Sequence, residues 1–316
     1  MQRELQDCKS DQDGAASPVF PPEYENAVSA REALLHLIRR DPRVLGHERS
    51  RWTLGLIRQS CPWLNLNSAG GLSQLLERLG ISYKRGREYI HSPDPDYEAK
   101  LALIEHCLAQ ARQEPDRYVF LYQDEMTYYR QPLVAHAYEA KGRCCPLARR
   151  SYRSNTRFRG IGALNAITGQ VTYHQAARAG IPHLSNFYAA VRAEYPLADT
   201  IYIAQDNWPI HFHPDVLARL QPQEYPWPFH IPATWPTQPG RRAVHDDLPI
   251  LLLPLPTYAS WLNPIEKLWR WLKQDLLYLH RLSDDWQTLK QLTTDFMAQF
   301  QDGSPELLTF VGLLSV

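Results

Sequence analysis

The first part of the chain carries short apolar patterns of helical period. Apolar residues recur at helical spacing across 30–40 and 71–79, and a shorter segment at 52–59 has the same character, so three amphipathic helices are predicted. A basic stretch at 81–90 follows, and its glycine turn predicts a pair of short strands. Three short helices and a basic ribbon are typical of a winged helix-turn-helix domain at 28–92.

The rest of the chain mixes strand and helix patterns. Apolar runs predict strands at 118–124, 200–206 and 251–255, and an alternating pattern predicts a hairpin at 158–175 around Thr168-Gly169. Helices are predicted at 97–113, 184–194, 214–220, 264–279 and 285–300. A hairpin followed by alternating helices and strands fits an α/β fold, a mixed sheet flanked by helices on both faces.

These patterns divide the chain into five parts. We expect a flexible tail (1–27), the winged helix-turn-helix domain (28–92), a linker and helix (93–116), the α/β domain (117–302) and a C-terminal tail (303–316). A proline- and tryptophan-rich stretch at 221–249 predicts an inserted loop within the α/β domain.

Composition narrows the class of protein. The chain has 316 residues, no run of about 18 apolar residues that would span a membrane, and no basic-then-apolar start typical of a secretory signal. Its five cysteines are scattered, without the spacing of a zinc site. These features predict a cytoplasmic protein with reduced thiols, which associates with the nucleoid if its ligand is DNA.

Charge is distributed unevenly although the formal net charge is zero. Residues 28–90 hold eleven basic and five acidic side chains, and residues 141–159 hold seven basic side chains and no acid. Two basic segments in a neutral chain favour a polyanionic ligand. The alternative for either segment alone is an ordinary solvated surface.

Three acidic residues suggest chemistry. Asp124 and Asp206 follow apolar runs, and Glu266 lies in the first turn of a predicted helix. Two strand-end aspartates and a helical glutamate can hold two divalent cations for phosphoryl transfer, with Asp124 shared and the other two each completing one side. Each residue alone also has a structural interpretation: Glu266, for example, lies where a capping box with Asn263 would place it.

Other side chains are candidates for binding DNA. Ser73, Gln74 and Arg78 lie opposite the apolar face of the third predicted helix, where they would meet the major groove. The phosphate contacts are assigned to Lys84, Arg85 and Arg87 in the basic ribbon, and to Arg270 and Lys273, which share a helical face with Glu266. The alternative for the first domain is a helical module that packs against protein.

Two histidines follow Asp206 closely. His211 and His213 are expected to share one face of an extended segment. Hydrogen bonding to the loop is the favoured role for both, and orientation of substrate or ligation of a soft metal is the alternative.

Several motifs together resemble the mariner-type DDE transposases of bacterial insertion sequences. The matching pieces are Arg51-Trp-Thr-Leu54, Leu79-Gly-Ile-Ser-Tyr-Lys84, Gln123-Asp-Glu125, Gln205-Asp-Asn207 and Leu255-Pro-Thr-Tyr through Asn263-Pro-Ile-Glu266-Lys-Leu-Trp, and the resemblance covers about 28–300. It implies an RNase H-like catalytic domain, two Mg²⁺ or Mn²⁺ ions, and Asp124, Asp206 and Glu266 as catalytic and metal-binding residues. It further implies a homodimer that binds double-stranded DNA at terminal inverted repeats and transfers the cut strands to target DNA.

The chain departs from that family's usual pattern in two places. Only a tail and one helix precede Arg51, where the family usually has a further helix-turn-helix unit, and 60 residues separate Asp206 from Glu266, with the surplus in Pro222–Pro249. Two other functions therefore stay open at the level of sequence. One is a catalytically decayed remnant that only binds DNA, and the other is an RNase H-like nuclease acting on structured RNA or hybrids.

Overall fold

The computed structural model describes residues 27–84, 92–142, 144–229 and 231–314. The chain forms two compact units, Met1–Glu88 and Tyr89–Val316. The tail predicted at 1–27 falls almost wholly outside the described residues and stays a prediction. No helix in the described part of the chain has the length and apolar character needed to cross a membrane.

The first unit contains the three predicted helices. They are α1 (Ala27–Ile38), α2 (Leu54–Ser60) and α3 (Ala69–Arg78). Their apolar faces form one core, which includes Leu34, Ile57, Leu72 and Leu76. The third helix begins two residues before the predicted start because Ser68 caps it, its hydroxyl accepting a hydrogen bond from the Gly71 amide at 3.1 Å.

The basic ribbon predicted at 81–90 is mostly outside the described residues. Residues 81–84 form no strand, and residues 85–91, which include Arg85 and Arg87, are not described. The wing of the winged helix-turn-helix therefore stays a prediction.

The second unit is built on a five-stranded mixed sheet with the order β3-β2-β1-β4-β5. Its strands are β1 (Tyr118–Tyr129), β2 (Arg157–Asn165), β3 (Val171–Ala176), β4 (Thr200–Gln205) and β5 (Ile250–Pro254). Strands β1, β2 and β3 are antiparallel neighbours, whereas β4 pairs in parallel with both β1 and β5. The predicted strands and hairpin are all present.

Helices cover both faces of this sheet, as the sequence predicts. They are α4 (Tyr97–Gln113), α5 (Ile181–Glu194), α6 (Pro214–Leu217), α7 (Ile265–Leu272), α8 (Trp286–Ala298) and α9 (Pro305–Val311). Alternate residues of β1 serve opposite faces, since Phe120 and Tyr122 join the core beneath α4 whereas Val119 and Leu121 join the core beneath α5.

The first strand is longer than predicted. It runs to Tyr129 because β2 continues to pair with it from Asp124 opposite Gly162 as far as Tyr129 opposite Arg157. The prediction that Asp124 lies at a strand end is therefore wrong for the antiparallel side. On the side of β1 that pairs with β4, however, Asp124 does lie beyond the last paired residue, because that parallel pairing stops at Tyr122.

Two predictions near the C-terminus are corrected. The helix predicted at 264–279 is α-helical only to Leu272 and continues as a π-helical turn over Lys273–Leu277. The segment predicted as a C-terminal tail, 303–316, contains α9, whose buried Leu307 and Val311 belong to the core that α7 and α8 form with the sheet. Burial of these two side chains explains why the segment is ordered.

The stretch predicted as an inserted loop connects α6 to β5. Among its described residues, 221–229 and 231–249 contain no helix or strand, in agreement with the high proline content. An isolated bridge between Leu220 and Leu248 holds its two ends together. The helix predicted at 214–220 is shorter and ends at Leu217.

Candidate active site

The sheet brings the two aspartates side by side. Strands β1 and β4 are parallel, and the last pair in their register joins Tyr122 to Ala204. Asp124 and Asp206 each lie two residues beyond that pair, so they project from the same edge of the parallel part of the sheet. Strand pairing thus brings together Asp124 and Asp206, which are 82 residues apart in the sequence.

Helix α7 brings the third acid to the same place. The Asn263 side-chain amide donates to the Gln123 carbonyl at 3.0 Å, and the Trp269 indole donates to Asp124 Oδ2 at 2.9 Å. These two bonds fix both sides of Glu266 against β1. The predicted capping box is wrong, because the N-cap is Pro264 without a side-chain bond and Asn263 points to the strand instead.

The three acids lie close enough for their charges to act on one another's pKa. Burial, followed by the charges of Glu266, Glu125 and Asp206, raises the pKa of Asp124 to about 8 although the bond from Trp269 acts to lower it. Burial also raises the pKa of Glu266, where Lys273 and Arg270 oppose the effect of Asp206.

The donor set fits a hard divalent cation. Burial together with repulsion by the charges of the neighbouring carboxylates raises the pKa of Asp124 to about 8, so this carboxyl retains a proton at neutral pH in the metal-free protein. A cation of charge +2 relieves this repulsion, and carboxylate oxygens are the ligands that Mg²⁺ and Mn²⁺ prefer. Asp124, Asp206 and Glu266 are therefore the residues that could hold such ions.

A second group, which the sequence analysis does not bring together, lies beside Asp206. His211 Nε2 is 3.3 Å from Asp206 Oδ1 and 3.6 Å from Glu125 Oε2. Burial opposes a charge on His211, but Glu125 and Asp206 outweigh it and raise its pKa to about 9. Burial likewise opposes ionisation of Asp206, but the contact with His211 lowers its pKa.

The two histidines therefore differ in role. His213 Nδ1 accepts a hydrogen bond from the Asp215 amide at 3.1 Å and caps α6, which is the loop role expected of it. His211 instead faces two carboxylates. Glu125 could have been found from the alternation of side chains along β1. Because Asp124 and Glu125 are consecutive, they point to opposite faces of the sheet, so Glu125 belongs to a different group of residues from Asp124.

Comparison with known proteins identifies the family. A family model described as DDE superfamily endonuclease matches residues 119–290, more than half of the chain. The chain belongs to the DDE superfamily of endonucleases. The matched segment contains Asp124, Asp206 and Glu266. The predicted resemblance to mariner-type DDE transposases and the predicted enzyme class, a DDE-type transposase or endonuclease, are confirmed.

Relatives extend this likeness over most of the chain. The "Insertion element IS630 uncharacterized 39 kDa protein" of Shigella sonnei is 24% identical over 262 residues, which cover 82% of this chain and 68% of the relative. The crystal structure of the Mos1 mariner paired end complex with Mn has a TM-score of 0.56 at 18% identity and covers 98% of this chain and 82% of that chain. The complex with Mg has a TM-score of 0.56 at 17% identity, with 98% and 83% covered. The RNase H-like fold, a mixed sheet flanked by helices, is confirmed.

A glycine makes room for the tryptophan that contacts the first DDE aspartate. Gly162 is the cross-strand partner of Asp124, and a Cβ built on it would lie 2.5 Å from Cη2 of Trp269. Only a residue without a side chain lets the indole approach β2 this closely.

The predicted DNA-binding residues that the structure describes lie on two surfaces. Arg270 is exposed and Lys273 is half-buried, and both act on the pKa of Glu266, so they border the three acids. In the first unit, Ser73, Gln74 and Arg78 are all exposed on α3 opposite its buried leucines, and Lys84 is exposed beyond it.

Proposed function

We propose that this DDE-superfamily chain is an insertion-sequence transposase that binds terminal inverted repeats and cleaves and transfers DNA strands with divalent metal ions. The placement of Asp124 and Asp206 at one edge of the sheet, with the helix of Glu266 bonded to the same strand, supports the proposal. Strand pairing aligns the first two, and Trp269 and Asn263 fix the helix that carries the third.

The three acids would act together in the proposed reaction. Asp124, whose pKa responds to the charges of both other acids, would hold two Mg²⁺ or Mn²⁺ ions together with Asp206 and Glu266. Such ions would activate the attacking oxygen and stabilise the leaving oxygen. The chain itself orients the carboxylates through Trp269 and His211 and half-buries Asp124.

Positive charge beside the acids would hold the DNA backbone. Arg270 and Lys273 lie close enough to Glu266 to lower its pKa, and cations at that position attract the phosphates on either side of the cut bond. We assign base contacts to Ser73, Gln74 and Arg78 on α3, because they form its exposed face. Lys84, Arg85 and Arg87 are assigned to phosphates.

The solved neighbours support DNA as the partner and a metal as the cofactor. Their titles describe Mos1 as a paired-end complex with the left transposon end, and as mariner paired end complexes with Mn and with Mg. We propose by analogy that this chain pairs two DNA ends, as a homodimer, in the presence of either ion.

Cleavage of a plasmid tests the proposal. The wild-type chain should cut a supercoiled plasmid carrying the repeats that flank its gene when Mg²⁺ or Mn²⁺ is added, and Asp206→Asn should abolish cutting without loss of DNA binding. Asp199→Asn is a matched control, because its side chain is 54% exposed against 55% for Asp206 but lies before β4 and pairs with Arg117.

Other outcomes would favour other functions. If the wild-type chain binds DNA in a salt-sensitive way but cuts it with neither ion, the proposed enzymatic activity is contradicted and a DNA-binding remnant is supported. Preferential cutting of an RNA–DNA hybrid would support a nuclease instead of a transposase.

A further inference from the structure

A buried histidine and two carboxylates form a cluster beside the DDE acids. One ligand atom from each of Glu125, Asp206 and His211 lies within 4.8 Å of the other two. Glu125 follows Asp124 in β1 and therefore points to the opposite face of the sheet, the face covered by α5. The cluster shares Asp206 with the DDE acids and adds two residues that the proposed function does not use as ligands.

The ring nitrogen of His211 is the observation that points to a ligand. The residue is fully buried, and among the described residues Nε2 has no partner in hydrogen-bonding geometry. Two carboxylate oxygens nevertheless lie 3.3 and 3.6 Å from it. Two anionic oxygens gathered around a buried nitrogen need a positive charge among them, which either a metal ion or a proton on the ring supplies.

The surrounding hydrogen bonds hold these groups as a metal site requires. Gln123 Nε2 donates to Glu125 Oε1 at 2.7 Å, which leaves Oε2 facing the cluster. On the far side of the ring, His211 Nδ1 lies 3.5 Å from the hydroxyl of Tyr188, and that hydroxyl donates to Gln205 Oε1 at 2.9 Å. The Tyr188 oxygen can therefore accept a hydrogen bond from Nδ1, which leaves the lone pair of Nε2 directed at the carboxylates.

We propose that Glu125, Asp206 and His211 form a binding site for one divalent transition-metal ion, in addition to the ions proposed at the DDE acids and sharing Asp206 with them. Ligands of one ion at about 2.1 Å each lie up to about 4.2 Å apart, so both histidine–carboxylate separations already suit a shared ion. An imidazole ligand suits Zn²⁺ best, and Mn²⁺ accepts one more readily than Mg²⁺, which prefers oxygen ligands alone. A bound ion would also hold the Asp206 side chain in place.

Manganese alone is the probe for this site. We would add Mn²⁺ to the full chain without DNA and record pulsed electron paramagnetic resonance, which detects a ¹⁴N nucleus bonded to the metal. The wild-type chain should show the coupling of one imidazole nitrogen. An Asp124→Asn, Glu266→Gln double variant should keep that coupling, because it removes only ligands of the neighbouring ions.

Variants of the cluster complete the test. His211→Gln should abolish the nitrogen coupling, and Glu125→Gln should weaken Mn²⁺ binding in the double-variant background by about tenfold or more. His213→Gln is the matched control and should leave the coupling intact, since its ring caps α6 and faces no carboxylate of the cluster. An excess of Mg²⁺ should not displace the nitrogen-bound Mn²⁺.

The readout is independent of DNA cleavage. A wild-type chain that binds Mn²⁺ without nitrogen coupling would overturn the proposal and assign His211 as an imidazolium ion paired with both carboxylates. Coupling that survives in His211→Gln would equally overturn it. The plasmid assay decides the proposed function separately, because a chain that never cuts DNA can still show the imidazole signal.

Discussion

The hydrogen bond from Trp269 lowers the pKa of Asp124, so the substitution Trp269→Phe should weaken metal binding in a pH-dependent way. The phenylalanine ring would keep most of the buried apolar contact but lose the 2.9 Å bond from the indole to Asp124 Oδ2. A hydrogen bond to a charged group contributes about 1.5–3 kcal/mol, which corresponds to about 1–2 pKa units. The pKa of Asp124 should therefore rise above its present value of about 8.

The consequence follows from the ionised fraction. A divalent ion must displace the proton of Asp124 before it binds. At pH 7.5 a pKa of about 8 leaves about a quarter of the molecules ionised, and a rise of about 1–2 units leaves roughly 3% to 0.3%. Mn²⁺ affinity at this pH should fall by roughly 8- to 75-fold. Above about pH 9.5 the variant should recover most of that loss, because Asp124 then ionises in both proteins.

Calorimetric titration with Mn²⁺ at several pH values measures this effect. Trp271→Phe is the control from the same helix: its indole donates to Asp275 Oδ2 at 2.6 Å, away from the three acids. Trp271→Phe should bind Mn²⁺ as the wild-type chain does. Equal affinity of Trp269→Phe and wild type at pH 7.5, or a loss that does not diminish with rising pH, would refute the reasoning.

Three further predictions concern stability and DNA binding. Gly162→Ala should lower the free energy of unfolding by about 1–3 kcal/mol in a denaturant titration, because the new methyl group meets the Trp269 ring; an unchanged midpoint would contradict that contact. Metal-free wild type should lose stability relative to Asp124→Asn as pH rises from about 4 to about 8, because the folded state retains a proton on Asp124 that the unfolded chain releases. Melting temperatures of the two proteins that change equally with pH would show that the pKa of Asp124 is not raised. Arg78→Ala should weaken DNA binding and reduce its salt dependence, whereas Arg43→Ala should do neither, because Arg43 is already paired with Asp41. An equal loss of DNA affinity in both variants would show that α3 does not contact DNA.

The sequence predicts the framework of this fold well because its elements have strong local signals. Apolar runs of five or six residues identify β4 and β5, and helical periodicity identifies α4 and α5. The C-terminal helix α9 escapes prediction although Ser304 and Pro305 mark its start. Its order depends on burial against distant residues, which a local pattern does not contain.

The site is only partly predictable for the same reason. Asp124, Asp206 and Glu266 can be selected because each follows a recognisable element, and parallel pairing of β1 with β4 then aligns the first two. The contacts of Asn263 and Trp269 with β1 cross 140 and 145 residues of sequence. No spacing rule predicts contacts between residues so far apart in sequence. The local pattern therefore favours a capping box for Asn263, whereas its side chain bonds to Gln123 instead.

The cluster around His211 escapes prediction because its parts have ordinary explanations one at a time. Glu125 is an acid beside an acid in a strand, and His211 lies in a turn after Asp206. Only the sheet register and the burial of the ring show that they face one another.

Anomalous diffraction from crystals grown with Mn²⁺ tests the central claim most directly. Manganese density should lie within about 2.0–2.6 Å of carboxylate oxygens from Asp124, Asp206 and Glu266 together, with Asp124 contacting more than one ion if two are bound. Manganese density that leaves any of these three acids without a contact, in crystals that also contain the cleaved DNA end, would contradict it.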